Sequence, residues 1–279
     1  MIKNNIFFYS FTKLSRRLKN DGISLTIIKI FLRLFKVPNE IQRTKTKVLN
    51  VLLNKHNHKI AYGPFKGMKL NSINWWSKND LITKILNVYE NHVLEKLIYF
   101  SKKKKLDFIN IGAADGYFSI GFALAKIFNK IYAYEINKIG QDLLRQNIEL
   151  NKCSDVIEVK SEANYQSLKD IISNGNGAVV LIDIEGFEFE LLDERLLKCL
   201  KNCYVICELH PFLLLNGHEK QFELIRRSEN IFSVSVIQRE TYNPNQFIEL
   251  DQFSDDERLL AFSEGRDVNM KWLVLQPKS

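Results

Sequence analysis

Between residues 106 and 227 of this 279-residue chain, short apolar runs alternate without a break with stretches of helical periodicity. LDFINIG (106–112), IYAYEI (131–136), VIEVKSEA (156–163), AVVLIDIEG (178–186) and CYVICELH (203–210) have the length and composition of buried strands. GYFSIGFALAKIF (116–128), QDLLRQNIEL (141–150), SLKDIIS (167–173), FELLDERLLKCL (189–200) and EKQFELIRR (219–227) follow them in turn with helical spacing. Five strand–helix units in a row constrain the fold severely. Each crossover makes the next strand parallel, and the helices must cover both faces of the sheet. Right-handed crossovers then wind the sheet twice. The expectation is an α/β fold with a doubly wound, mostly parallel sheet, its ligand at the carboxyl ends of the central strands. Two late strands follow, FSVSVIQRE (232–240) and KWLVLQP (271–277).

Upstream of these units the charge is uneven. Residues 1–60 carry 13 Lys and Arg against 2 Asp and Glu, whereas the remaining residues carry 27 against 30. A nucleic-acid-binding protein spreads its basic residues over the main domain, so no nucleic-acid partner is expected. The stretch Ile23–Val37 has apolar residues interrupted at helical spacing by Lys29, Arg33 and Lys36, and Pro38 should end that helix. It reads either as a helix packed on the body or as an interfacial helix drawn to anionic lipid through residues 1–40. GPFKGMKL (63–70) reads as a hairpin, and Ser77 with Asp80 as a cap opening a helix that runs to Lys102–Lys105. The organisation expected is a basic helical extension over 1–60, a lead-in hairpin and helix over 61–105, and a ligand-binding domain over 106–279. No run of 18 apolar residues predicts a membrane span. No secretory signal is apparent, and four cysteines form no disulfide framework. The chain is therefore placed in the cytoplasm, with peripheral attachment to the inner face of the membrane as an option. Cys199, Cys203 and Cys207 miss the Cys-x2-Cys spacing of structural zinc, and no metal site is assigned.

The chemistry sits at strand ends. Asn110-Ile-Gly112-Ala113-Ala-Asp115-Gly116 closes the first strand and opens a helix at once. Its glycines permit a tight turn, and helix N-terminal amides can face a ligand. The dinucleotide pattern G-x-G-x-x-G is absent, which argues against a nucleotide-dependent oxidoreductase. Glu135 ends the second strand, placed to accept hydrogen bonds from ribose hydroxyls; with the glycine loop it points to an adenosine-containing ligand. Asp183 and Glu185 are two apart in the fourth strand and should face the same side. Two such carboxylates are costly unless a hydrogen-bond donor or a cation compensates them; a sulfonium, an ammonium or a metal would serve. Glu208 and His210 repeat the arrangement on the fifth strand, and His210 is suited to proton transfer. A non-catalytic binding protein on the same sheet, docking through its basic end, remains the alternative to an enzyme.

FINIGAADGYFSIGFA, AYEIN and above all LIDIEGFEFELL resemble the FkbM family of S-adenosylmethionine-dependent methyltransferases, over roughly residues 60–275. GPFKGMKL and NVYENHVLEKL are similar to the segments that lead into that family's domain. The resemblance implies a Rossmann-like class I methyltransferase fold and S-adenosyl-L-methionine as cofactor. Asn110, Gly112, Ala113, Asp115 and Gly116 would hold its methionine part and Glu135 its ribose. Glu162 and Ala163 would flank the adenine, and Asp183 would lie near the methionine amino group. Where the family often has Asp, this chain has Asn110, which can hydrogen-bond an ammonium but supplies no charge. The implied reaction is O-methylation of a small-molecule or glycan hydroxyl. His210 is the first candidate for the base, followed by Asp183 and Glu185, with Glu208 beside them.

Overall fold

The computed structural model describes residues 40–71, 80–102, 106–172, 177–266 and 268–278. Strands β1 (Asp107–Ile111), β2 (Ile131–Tyr134), β3 (Ile157–Lys160), β4 (Ala178–Ile182), β5 (Tyr204–Leu209), β6 (Phe232–Gln238) and β7 (Lys271–Pro277) form one sheet in the order β3-β2-β1-β4-β5-β7-β6. The first five pair in parallel, and β7 inserts antiparallel between β5 and β6. The chain moves outward from β1 through β2 to β3, then returns to the other side of β1 at β4. The crevice where the order reverses therefore opens at the carboxyl ends of β1 and β4.

Strand alternation builds a core on each face. Phe108, Ala133, Val179, Leu181 and Ile206 pack on one side, with Phe65, Phe100, Phe122 and Trp272. Ile109, Ile111, Val180, Ile182 and Val205 pack on the other, with Leu168, Leu196 and Leu224. The crossover helices are α4 (Tyr117–Ala125), α5 (Lys138–Leu150), α6 (Tyr165–Ile172), α7 (Glu188–Leu191), α8 (Glu194–Cys199) and α9 (Gly217–Glu229). Asp193 breaks the expected helix over 189–200 in two, because its side chain accepts from Leu196 N and starts α8 afresh.

Ahead of the sheet lie α1 (Glu40–His56), α2 (Leu81–Ile85) and α3 (Asn91–Ser101). The single helix expected upstream of residue 105 is interrupted between α2 and α3, where Asn87 and Glu90 adopt positive φ (56° and 45°). The expected hairpin over 63–70 is a turn, with one antiparallel bridge from Lys59 to Lys69. Val48 and Leu52 of α1 join Ile82, Ile85, Phe247, Leu250 and Phe262 in a third apolar cluster. Helix α10 (Asp255–Ala261) closes that cluster, so α1 packs against the C-terminal part of the chain. The helix expected over Ile23–Val37 lies outside the described residues, as do Ser77 and Lys103–Lys105 of the lead-in segment. No helix among the described residues is long and apolar enough to cross a membrane.

Candidate active site

The β1 turn is shaped by close backbone approach. Gly112 has φ +87°, and a Cβ there would stand 1.7 Å from the Asp183 carbonyl oxygen, so only glycine lets the β1 and β4 loops meet. Gly116, at φ +92°, turns the chain into α4. Ala113 is buried, and Ala114 has φ 48°. Asn110 does not face the crevice: it is buried on the Phe108 face of β1, and its Nδ2 donates to Ser119 Oγ of α4 at 3.0 Å. Asp115 Oδ2 lies 3.4 Å from the buried Lys84 Nζ, which is also 3.2 Å from Asp80. Burial works against the Lys84 charge, but Asp115 and Asp80 outweigh it and raise its pKa. Asp115 is thus already compensated by Lys84, which nothing in the local sequence marks as its partner.

Glu135 follows β2 and braces the glycine loop. Its Oε2 accepts from Ala114 N at 3.0 Å and its Oε1 from Asn137 N at 2.8 Å. Each oxygen keeps a further lone pair. Asn137 caps α5, accepting from Ile139 N. Beyond β3, Glu162 is exposed and Ala163 half-buried.

On the other side of the crevice, β4 ends at Ile182, so Asp183 and Glu185 stand in the loop after the strand rather than in it. They converge all the same, because Glu185 takes φ 52°. A non-glycine residue in that region is strained by about 1–2 kcal/mol unless its surroundings impose it. His210, one residue past β5, is the meeting point. Its Nε2 lies 3.6 Å from Asp183 Oδ1 and 3.7 Å from Glu185 Oε2. Its Nδ1 faces Glu188 Oε1 at 3.4 Å. Glu188 is fully buried and accepts from His210 N at 2.7 Å and from Gly186 N at 2.8 Å, tying the two loops together. It stands in the conspicuous Asp-Ile-Glu-Gly-Phe-Glu stretch, but only its burial reveals its work.

Burial alone would lower the pKa of His210. Glu188, Asp183, Glu208 and Glu185 outweigh that and raise it to about 10. The carboxylates around it thus favour the charged form of the imidazole in the free protein. Glu185 is pushed up to about 7, by burial first and then by Asp183 and Glu188, with His210 opposing.

Glu208 is held by an arginine. It is buried and accepts from Arg266 Nη1 at 2.5 Å. Arg266 also binds Glu90 and, through Nε at 3.0 Å, Glu264. Three carboxylates thus share one guanidinium, with Arg239 3.5 Å from Glu264. Burial raises the pKa of Glu208 and that of Glu90, the latter to about 7, and Arg266 opposes both. Neither Glu90 nor Arg266 was legible as a site residue, since they stand 176 positions apart in the chain.

No family model matches this chain, and no curated protein does. Solved structures do. The O-methyltransferase from Bacillus cereus in complex with SAH is 14% identical, with 90% of this chain and 97% of that chain covered and a TM-score of 0.45. The METTL16 MTase domain is 16% identical, covering 86% and 82%, with a TM-score of 0.49. TYW2 from M. jannaschii in complex with AdoMet is 14% identical, covering 73% and 77%, with a TM-score of 0.41. At these identities and scores the likenesses carry no functional argument. The sheet itself has the Rossmann-like, class I methyltransferase form: five parallel strands in doubly wound order and an antiparallel seventh strand between the fifth and sixth.

Proposed function

We propose that this chain is an S-adenosylmethionine-dependent methyltransferase of the FkbM family, acting on a hydroxyl of a sugar, glycan or similar small acceptor. One observation carries the reading. The braced glycine loop with Glu135 lines one side of the β1/β4 crevice, and Asp183, Glu185 and His210 line the other. The first side suits an adenosine-containing cation, and the carboxylates of the second make a sulfonium tolerable there. In this reading Gly112, Ala113, Asp115 and Gly116 face the methionine part. Glu135 takes the ribose, Glu162 and Ala163 flank the adenine, and Asp183 approaches the amino group. Asn110 acts indirectly, by fixing α4 through Ser119.

In such a reaction the acceptor oxygen would take the cofactor's methyl as the sulfonium becomes a thioether, and the carboxylate of Asp183 or Glu185 would accept the hydroxyl proton. Much of the rate comes from holding the two reactants in register. Bound S-adenosylmethionine supplies the electrophilic methyl; the chain's residues orient it and exclude water.

The test is calorimetry with S-adenosylmethionine and its demethylated product. The full-length chain binds both, and Glu135→Ala weakens binding by about 1.5–3 kcal/mol, the range for charged hydrogen bonds. Absence of binding by the wild type discards the reading, and unchanged affinity in Glu135→Ala discards the ribose assignment.

A further inference from the structure

We infer that Asp183, Glu185 and His210 form a binding site for a divalent first-row metal ion. One ligand atom from each lies within 4.8 Å of the other two. His210 Nε2 stands 3.6 Å from Asp183 Oδ1 and 3.7 Å from Glu185 Oε2, too far for a hydrogen bond in either direction. Ligands held at about 2.1 Å from an ion are about 3 Å apart when adjacent. Closing the site therefore needs the histidine–carboxylate separations to shrink by about half an ångström, and the two carboxylate oxygens, within 4.8 Å of each other, to draw together by up to about 1.8 Å.

Three further observations point to an ion and not merely to a cluster of acids. His210 is 3% exposed. Asp183 Oδ1 is buried and also lacks a hydrogen-bond partner. Glu188 Oε1 lies 3.4 Å from Nδ1, which places a carboxylate behind the imidazole and aims Nε2 between Asp183 and Glu185. A carboxylate behind the histidine is the arrangement that fixes the tautomer and orientation of metal-bound imidazoles.

The chemistry of the donors narrows the ion. Two carboxylate oxygens and one imidazole nitrogen suit Mn²⁺, Fe²⁺ or Zn²⁺ better than Mg²⁺, which prefers oxygen and water. Asp183 and Glu185 have side chains 35% and 45% exposed, so the remaining coordination positions face the crevice. If the methyl-transfer reading holds, on which this last step rests, those positions take the acceptor's oxygens. The acceptor class is then a molecule with two neighbouring oxygen atoms that can chelate one ion.

Full-length protein, freed of metal with a chelator, is titrated with Mn²⁺ while the signal of the free ion is followed by electron paramagnetic resonance. One ion should bind per chain. Glu185→Gln, at an exposed position that should not disturb folding, and His210→Ala should each weaken binding at least tenfold. Glu188→Gln, which touches the ion only through His210, should weaken it tenfold to a hundredfold. Absence of binding for both Mn²⁺ and Zn²⁺, or unchanged affinity in Glu185→Gln and His210→Ala, overturns the site. S-adenosylmethionine binding is titrated separately on the metal-free protein. Failure there discards the methyltransferase reading and leaves the metal result to stand or fall alone.

Discussion

Glu90 shows what a single buried carboxylate does at the rim of this site. Burial pushes its pKa up to about 7, with Arg266 opposing and Asp183 and Glu264 adding to the shift. In the unfolded chain a glutamate titrates near 4.3. Between those values the folded protein binds the extra proton, so stability falls as pH rises from about 4.5 to about 7. Glu90→Gln is neutral throughout and should flatten that part of the profile, leaving the contribution of Glu185, which runs in the same direction. Melting temperatures of wild type and variant between pH 4.5 and 8 check this, and parallel profiles would refute it. At this scale the sequence was only partly readable. Asp183, Glu185 and His210 stood out because polar residues ending apolar strands are expensive. Glu188, Glu90 and Arg266 did not, since their significance comes from burial and from pairing across the fold.

The elements were more legible than the contacts between them. Strands β1 to β5 were visible because buried parallel strands read as short apolar runs, and their parallel pairing followed from the crossovers, though their order did not. The strand ends were less visible: Asp183 and Glu185 look like strand residues from spacing, yet the ladder stops at Ile182. Helix α10 escaped notice although Ser254 and Glu257 form a full capping box, with each side chain bonded to the other's backbone. The place of α1 was not visible either. Grouped by charge with the basic extension, it buries Val48 and Leu52 completely against the lead-in helix and the C-terminal part. Leu52→Ala should therefore cost about 2–5 kcal/mol, the range for a fully buried leucine. Removing residues 1–56 should lower the denaturation midpoint steeply below that of a chain lacking residues 1–39. Equal midpoints for the two truncations would show that α1 contributes no packing energy.

On the scale of the whole molecule, charge is divided by position in the chain. The first 60 residues are strongly basic, and the rest is slightly acidic. Eight of the thirteen early lysines and arginines precede α1, whose packing against the C-terminal part ties that end of the chain to the body. A cation near an anionic lipid surface contributes about 1 kcal/mol, so a cluster of eight is enough for reversible attachment at low ionic strength. The attraction is screened over about 8 Å at physiological salt. We therefore propose peripheral attachment to anionic membranes through residues 1–40, with the catalytic body held at the surface and free to meet acceptors there. The full-length chain should co-sediment with phosphatidylserine-containing vesicles at low salt and much less with neutral ones. Bound protein should fall steeply as salt is raised. Arg16→Glu, Arg17→Glu and Lys19→Glu together reverse three charges, and should abolish most of the binding while cofactor affinity stays the same. Equal binding to neutral and anionic vesicles would rule out the electrostatic origin. No binding at low salt would leave the basic segment without a membrane role.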